Sequence, residues 1–279
     1  MNLFLSVGAM KAGTTWLYSL LESNPDLYFT PEKEIHFLNH NYINNRVLRD
    51  EFRLAQAKHR LSGSSTTHLG VYKMMARWYA MYLEKPTDFK WYDRIFSLNK
   101  TKKYNCDFSN LSCHLSSQQW LDVKIRYDHI KLIYVLRDPI KRLWSHLKFH
   151  HEFAGKDMNF VDWSEKEFKY FIKRKFIWDN CTYAKYINTI NDTFDEKEFM
   201  TMYFEDITSD PIVELYRIED FLGIRHIDYS SDKMKTKVNV SKSIPAPDCF
   251  LKASMALLEP EYNKMAKSGI RIHEKWTRY

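Results

Sequence analysis

Short apolar segments alternate along the chain with longer segments in which apolar residues recur at helical spacing. Four apolar runs rich in β-branched or aromatic residues predict buried strands at residues 3–7, 27–30, 131–136 and 199–204. The clearest helical patterns cover residues 14–23, 140–152, 181–191, 211–222 and 250–266. Strands that alternate with helices predict an α/β fold with a central parallel sheet covered by helices on both faces. Ligands of such sheets bind at the carboxyl ends of the strands.

The same pattern predicts a single domain over residues 1–279. No internal repeat, Pro-rich tract or Ser/Gly linker divides the chain, and residues 62–67 form a polar stretch typical of a loop. A chain of this length buries about 75% of its surface in one folded domain.

The charge balance favours an anionic partner. The chain has 42 Lys and Arg against 35 Asp and Glu, which gives a formal net charge of +7. A nucleotide, a sulfated or phosphorylated ligand, nucleic acid and a membrane surface all fit such a surplus. Charge alone does not choose among them.

Cysteine spacing and hydropathy exclude several other classes of protein. The 4 cysteines form no CxxC pair and have no metal-ligand spacing, so we expect reduced thiols in a cytoplasmic protein and neither a disulfide framework nor a zinc site. No apolar run approaches the roughly 20 residues of a transmembrane helix. The first residues carry no basic leader, and we therefore expect neither a signal peptide nor a membrane anchor.

A glycine-bearing loop follows the first predicted strand and leads into the first predicted helix, which is where backbone N–H groups bind oxyanions. Gly8 and Gly13 have the separation of a Walker A loop, but Thr14 occupies the position of the Walker lysine and the loop lysine is Lys11. A lysine this early in the loop would lie close to a 5′-phosphate and its leaving bond. The loop therefore favours a donor shorter than a nucleoside triphosphate.

A second candidate anion site follows the strand at 131–136. Arg137 ends this strand, and Ser145 lies two turns into the next predicted helix, where both could face one phosphate. Asp138 leaves open a rival interpretation of the strand as a Walker B strand. A third segment, residues 31–39, carries two candidate bases, Glu34 and His36. We expect Glu32 and Lys33 of the same segment to be solvated charges in a loop.

Taken together, these segments resemble the PAPS (3′-phosphoadenosine-5′-phosphosulfate)-dependent sulfotransferases. Residues 11–16, KAGTTW, resemble the 5′-phosphosulfate loop of that family, and residues 136–145, with Arg137 and Ser145, resemble its 3′-phosphate segment. The KEIHF stretch at 33–37 is similar to the segment with the catalytic glutamate in bacterial sulfotransferases and in the domains that modify heparan sulfate. Weaker matches lie at 90–92, 107–109, 203–206, 210–211 and 221–223. The resemblance implies a P-loop-NTPase-like three-layer sandwich.

The resemblance also implies a reaction, in which a sulfuryl group passes from PAPS to a hydroxyl or amine of a carbohydrate, lipid or small molecule and PAP (3′,5′-adenosine bisphosphate) leaves. Lys11 would stabilise the leaving phosphate and Glu34 would act as general base, with His36 as the competing base; no metal is required. The implied donor contacts are Lys11, Ala12, Gly13, Thr14, Thr15, Trp16, Arg137, Ser145, Ser241 and Lys242.

Two departures from the family pattern leave specific questions. Residues 43–88 form an insertion, with helical periodicity at 71–83, that we expect to cover the acceptor cleft or to make a subunit contact. Near the C-terminus, the family's glycine-bearing loop over the 3′-phosphate is replaced by residues 239–243, NVSKS, in which Lys242 can still supply charge.

Two other function classes remain open from the sequence. A P-loop kinase or NTPase would use magnesium and ATP, and the missing lysine at position 14 argues against it. A noncatalytic nucleotide- or RNA-binding protein would need its basic and aromatic residues to form a continuous stacking groove. The sulfotransferase interpretation needs no nucleic acid, and it leaves homo-oligomers and the acceptor open.

Overall fold

The protein is described by a computed structural model that covers residues 1–44, 46–63, 68–153, 159–235 and 244–276. Within these residues, a parallel sheet of five strands has the order β2-β3-β1-β4-β5. The strands are β1 Asn2–Gly8, β2 Leu27–Phe29, β3 Tyr104–Asp107, β4 His129–Leu136 and β5 Phe199–Tyr203. The sheet is flanked by helices, which confirms the predicted α/β fold.

Four of these strands agree with the sequence prediction, and β3 was missed. Its sequence is only Tyr-Asn-Cys-Asp, and the two polar residues, Asn105 and Asp107, hide the apolar signal of a buried strand. Both polar side chains are nevertheless buried. The central strand β1 lies between β3 and β4, so the carboxyl ends of these three strands meet at one edge.

Helices connect the strands and cover the sheet. The five predicted helices are confirmed, with small shifts of their ends, as α1 Thr14–Leu21, α7 Pro139–Phe153, α10 Tyr183–Asn191, α12 Pro211–Leu222 and α14 Asp248–Lys267. The other helices are α2 Phe37–Ile43, α3 Asp50–Ser62, α4 Leu69–Tyr82, α5 Phe89–Ile95, α6 Ser117–Arg126, α8 Glu165–Ile172, α9 Lys175–Trp178, α11 Phe204–Ser209 and α13 Ser231–Lys235. No helix in the described part of the chain has both the length and the apolar composition to cross a membrane.

Helix α12 illustrates why these elements begin and end where they do. The Asp210 carboxylate accepts the Val213 N–H, and Pro211 occupies the first turn, where its missing N–H costs nothing. Gly223 ends the helix in the left-handed conformation, at φ 59°. Each of these signals is local, which explains why sequence reasoning located this helix correctly.

Two apolar clusters pack the molecule. The larger one surrounds the sheet, and the smaller one lies between α7, α8 and α14, where the Trp144 ring meets Phe250 at 4.7 Å and Phe160 at 5.1 Å between ring centroids. Because α7 begins directly after β4, the second cluster fixes the direction in which this helix leaves the sheet edge.

The insertion at 43–88 contains α3 and α4, and the predicted helix at 71–83 is confirmed as α4. Arg53 of α3 is 2% exposed and donates hydrogen bonds to the carbonyl oxygens of Tyr82 at 2.6 Å and Glu84 at 3.0 Å. The Trp78 and Tyr82 rings stack at 4.9 Å. These contacts join α3 and α4 into one hairpin, whose role at an acceptor cleft or subunit contact remains a prediction.

Candidate functional site

The loop after β1 requires glycine at two positions. A Cβ at Gly8 would lie 2.5 Å from the Tyr134 ring, and a Cβ at Gly13 would lie 2.5 Å from the Phe204 ring. Lys11 and Gly13 both adopt the left-handed conformation, at φ 67° and 80°. Backbones of this kind turn successive N–H groups toward one side and bind anions. Helix α1 begins at Thr14, so its positive end points at the same space.

Cations surround this loop. The Lys11 ammonium lies 4.6 Å above the centre of the Phe149 ring of α7. Burial, and then the charges of Arg137 and Lys148, hold the pKa of Lys11 below its ordinary value, while Glu152 opposes this shift. Like charges gathered this closely favour an anion between them. The loop, the end of β4 and one face of α7 therefore line one candidate anion site.

Arg137, at the end of β4, belongs to the same cluster. Its Nη1 donates a hydrogen bond of 2.8 Å to the Lys11 carbonyl oxygen, and its guanidinium lies 4.6 Å from the centre of the Phe204 ring. Its Nε is buried and has no hydrogen-bond partner among the described residues. Ser145 is half-buried on α7, four residues from Phe149 and seven from Glu152, so it shares the face that meets Lys11.

Asp138 does not act as a Walker B aspartate here. Its side chain is fully buried, and Oδ1 accepts the N–H groups of Ile140 at 2.9 Å and Lys141 at 3.3 Å, which caps the start of α7. Its own backbone N–H donates to Glu205 at 3.0 Å. A carboxylate used in this way is not directed at a nucleotide metal, which disfavours the kinase or NTPase interpretation.

Glu34 lies in the extended segment between β2 and α2, surrounded by three donors. Oε1 accepts hydrogen bonds from Lys33 Nζ at 2.9 Å and Asn110 Nδ2 at 3.1 Å, and Oε2 lies 3.0 Å from His36 Nε2. Burial by itself would raise the pKa of Glu34, but the hydrogen bond from His36 and the charge of Lys33 outweigh it and lower the pKa to about 2. The carboxylate is therefore ionised near neutral pH and 31% exposed, open to a ligand on one side.

His36 is oriented by the loop after β3. The backbone N–H of His36 donates to Ser109 Oγ at 2.7 Å, and the Ser109 hydroxyl donates to Asp107 Oδ1 at 2.5 Å. The Tyr92 hydroxyl donates to the other oxygen of Asp107 at 2.8 Å. The weaker matches at 90–92 and 107–109 thus meet in one buried network behind Glu34 and His36. The Nδ1 of His36 is buried without a partner among the described residues.

Lys33 is a residue that the sequence did not identify. We expected Glu32 and Lys33 to be solvated charges, and this was wrong, because Lys33 is 14% exposed and Glu32 is 8% exposed at the side chain. The Lys33 ammonium donates to Thr14 Oγ1 at 3.1 Å as well as to Glu34, so it bridges the phosphate loop and the candidate base. Nothing in the local pattern KEIHF indicates which charges point inward.

Glu32 attaches the inserted hairpin to this site. Its Oε1 accepts a 2.5 Å hydrogen bond from the Tyr79 hydroxyl of α4 and lies 3.4 Å from Nε of Arg60 of α3. The residue is two positions from Glu34. The insertion therefore packs against the segment that carries the candidate base.

Most of the residues selected from the sequence come together at the carboxyl edge of β1 and β4. Arg137 contacts Lys11 directly, Lys33 joins Thr14 to Glu34, and Lys11 and Glu34 are close enough for each charge to affect the other. Ala12, Thr14, Thr15 and Trp16 form the end of the loop and the start of α1. Ser241 and Lys242 lie outside the described residues.

Comparison with known proteins gives one family match and one curated relative. The model of a family described as "Sulfotransferase domain" matches residues 3–245. A membrane-associated sulfotransferase, kil1, of Dictyostelium discoideum is 24% identical in an alignment that is 290 residues long, gaps included, and that covers 84% of this chain. The chain spans 59% of the length of that relative.

The fold of this chain is similar to that of several solved structures. A sulfotransferase from Alicyclobacillus acidocaldarius has a TM-score of 0.65 and 18% identity, and the match covers 100% of this chain and 99% of the other. The sulfotransferase domain from the Synechococcus PCC 7002 olefin synthase has a TM-score of 0.56 and 17% identity, with 92% and 94% covered. At this identity the likeness concerns the fold alone.

Proposed function

Because the chain belongs to the sulfotransferase domain family, which the match over residues 3–245 shows and which confirms the resemblance found in the sequence, we propose that it transfers a sulfuryl group from PAPS to an acceptor hydroxyl or amine. The single observation that carries this proposal is the cation cluster of Lys11, Arg137 and Lys148 beside the N-terminus of α1. Glu152 and Glu34 are the carboxylates that oppose the repulsion among these cations at Lys11.

The site fits a doubly phosphorylated nucleotide. The left-handed loop at Lys11 and Gly13 and the start of α1 offer backbone N–H groups for the 5′-phosphosulfate. The buried, unpaired Nε of Arg137 and the half-buried Ser145 offer donors for the 3′-phosphate. The two anionic groups of the ligand thus match donors from two parts of this one candidate site.

PAPS supplies the sulfuryl group when it is bound, and the residues of the chain arrange its transfer. A bond forms between the acceptor oxygen or nitrogen and sulfur while the bond from sulfur to the 5′-phosphate oxygen breaks. Glu34 takes the acceptor proton, and Lys11 neutralises the charge that develops on the departing phosphate. The negative charge that develops on the 5′-phosphate is neutralised by Lys11 and leaves with PAP, so this step requires no metal. The oxidation state of sulfur does not change, so it requires no oxidant.

Lys33 and His36 keep the base ionised and oriented. Lys33 and the imidazole of His36 each contact one oxygen of Glu34, which leaves the remaining lone pairs for the acceptor. Their contacts lower the pKa of Glu34, which makes the carboxylate a weak base at rest. We propose that Lys33 turns toward the sulfuryl oxygens once the donor is bound, because Thr14 already holds it at the loop, and that Glu34 becomes a stronger base as a result.

The direct test of the donor assignment is a melting-temperature screen. A ligand that binds only the native state raises the melting temperature. PAP is expected to stabilise the protein selectively over ATP and NAD. Stabilisation by ATP with magnesium, and none by PAP, would contradict the proposal. An acceptor screen with labelled PAPS then identifies the acceptor.

Arg137→Ala is expected to weaken PAP binding about 30- to 150-fold, because a charge-assisted hydrogen bond to a buried phosphate contributes roughly 2–3 kcal/mol. Isothermal titration calorimetry measures the loss. Arg225→Ala, which removes an arginine that is 73% exposed and paired with Asp26, is the control and should leave the affinity unchanged. Unaltered PAP affinity in Arg137→Ala would remove Arg137 from the phosphate site.

Lys33→Met is expected to lower kcat/KM at acidic pH, because the acidic limb of the pH profile of kcat/KM moves to higher pH. The sign follows from the charge of Lys33, which lowers the pKa of Glu34 and is lost in the variant, so Glu34 takes up its proton at a higher pH. Lys33→Arg retains the charge and should keep the limb of the wild type. Equal profiles in Lys33→Met and the wild type would show that Lys33 does not act on Glu34.

A further inference from the structure

The tip of the inserted hairpin exposes apolar side chains on all sides of a helix. This hairpin tip consists of residues 58–62 at the end of α3, Gly63 after it, and residues 68–74, in which α4 begins at Leu69. Every residue from 68 to 74 is exposed. Leu69 is 67% exposed and Met74 is 52% exposed, and Val71 and Tyr72 are about as exposed as each other, at 40% and 41%. Apolar groups concentrated in this way mark an interaction surface.

The charge of the same segment has one sign. Residues 52–83 contain no Asp or Glu, whereas Lys58, Arg60, Lys73 and Arg77 lie in or beside the tip. Lys58 and Lys73 are exposed, and Arg60 reaches back to Glu32. An apolar tip surrounded by cations differs from an ordinary solvated surface, in which both signs of charge are mixed.

We propose that the hairpin tip docks on the surface of an anionic phospholipid bilayer. Leu69, Val71 and Met74 would enter the boundary between headgroups and acyl chains, and Lys58 and Lys73 would lie against the anionic headgroups. A bilayer of this kind accounts for both the apolar side chains and the cations of the hairpin tip. The binding is peripheral and is independent of the donor site.

The charge argues against a second copy of the chain as the occupant. A symmetric contact between two hairpin tips would bring Lys58 and Lys73 of one copy close to the same residues of the other, with no carboxylate in residues 52–83 to separate them. Nucleic acid fits less well, because three of the four exposed apolar side chains have no ring on which a base can stack.

Docking of this kind also places the catalytic segment. The hairpin contacts Glu32 through Arg60 at 3.4 Å and through Tyr79 at 2.5 Å, and Glu32 lies two residues before Glu34. A hairpin seated on a bilayer would therefore hold the base-bearing segment at a fixed height above the lipid. An acceptor carried by the membrane would then reach the site without leaving the surface.

Co-sedimentation of the full chain with vesicles tests this proposal. The wild type is expected to bind vesicles of phosphatidylcholine with phosphatidylserine, to bind vesicles of phosphatidylcholine alone much less, and to be released by added salt. The double variant Leu69→Glu, Met74→Glu and the single variant Lys73→Glu should each lower the partition coefficient about tenfold or more. All three substituted positions are already exposed to solvent. The melting temperature verifies that each variant is folded.

Ile125→Glu is the matched control, because Ile125 is an apolar residue of helix α6 that is 76% exposed and lies outside the hairpin. It should bind vesicles as the wild type does. The proposal is overturned if the tip variants bind vesicles as tightly as the control, or if the wild type does not bind vesicles that contain phosphatidylserine. It is also overturned if the tip variants abolish only a self-association seen in sedimentation velocity. If the double variant does not fold, Lys73→Glu alone decides.

Discussion

Glu34→Gln is expected to lower kcat about 10³-fold while PAP affinity stays close to that of the wild type. Gln has the shape of Glu and keeps the contact with Lys33, but it cannot accept the acceptor's proton, and a positioned general base contributes about 10²- to 10⁴-fold. Because Glu34 is ionised near neutral pH, the variant replaces a carboxylate that can accept a proton with a neutral amide that cannot. Single-turnover transfer from labelled PAPS measures the chemical step, and calorimetry measures PAP binding.

Two comparisons sharpen this experiment. Glu32→Gln removes a buried carboxylate two residues away that contacts Tyr79 and Arg60, and it should retain transfer because Glu32 faces the hairpin. His36→Ala should reduce transfer less than Glu34→Gln, because Nε2 of His36 is directed at Glu34. Near-normal transfer in Glu34→Gln, together with inactivity in His36→Ala, would assign the base to His36.

Lys11→Ala is expected to reduce kcat about 10²- to 10³-fold and to weaken PAPS binding far less. The charge on the departing phosphate grows only as the bond to sulfur breaks, so a cation at that oxygen stabilises the transition state more than the bound donor. Burial and the neighbouring cations lower the pKa of Lys11, so its ammonium is held at the loop at an energetic cost that an anion relieves. Pre-steady-state transfer and donor titration separate the two effects.

Lys148→Ala is the control for Lys11, because its charge belongs to the same cluster but lies on α7 and not in the loop. It should weaken donor binding with a much smaller effect on kcat. Equal effects on kcat and affinity in the two variants would mean that the cluster acts by its summed charge. In that case the position of Lys11 in the loop would have no special role in the reaction.

The sequence predicted the elements whose signals are local. Helix α12 has its cap, its proline and its terminal glycine within the segment itself, and most residues of β1 and β4 are apolar, so each was located from the pattern. Strand β3 was missed because Asn105 and Asp107 are buried through partners far away in sequence, such as Tyr92 for Asp107. No local rule distinguishes such an aspartate from one in a turn.

The candidate site divides in the same way. Lys11, Gly13 and Arg137 were selected as candidates because a strand, a loop and a helix start predict an anion site within a few residues, and the family match over residues 3–245 confirms the resemblance to the sulfotransferases. Lys33 was misjudged, since in KEIHF it is one charge among several, and only the fold shows that it points inward to Thr14 and Glu34.

The sequence by itself therefore predicted the strands with strong patterns, the candidate phosphate loop and the resemblance to the family that the match over residues 3–245 confirms. Only the tertiary structure decided which charges are buried, how the network of Asp107 and Ser109 holds His36, and that the inserted hairpin is attached at Glu32. The physical reason is that burial and hydrogen bonding depend on groups brought together across large sequence separations, whereas strand, loop and cap signals depend on neighbours in the chain.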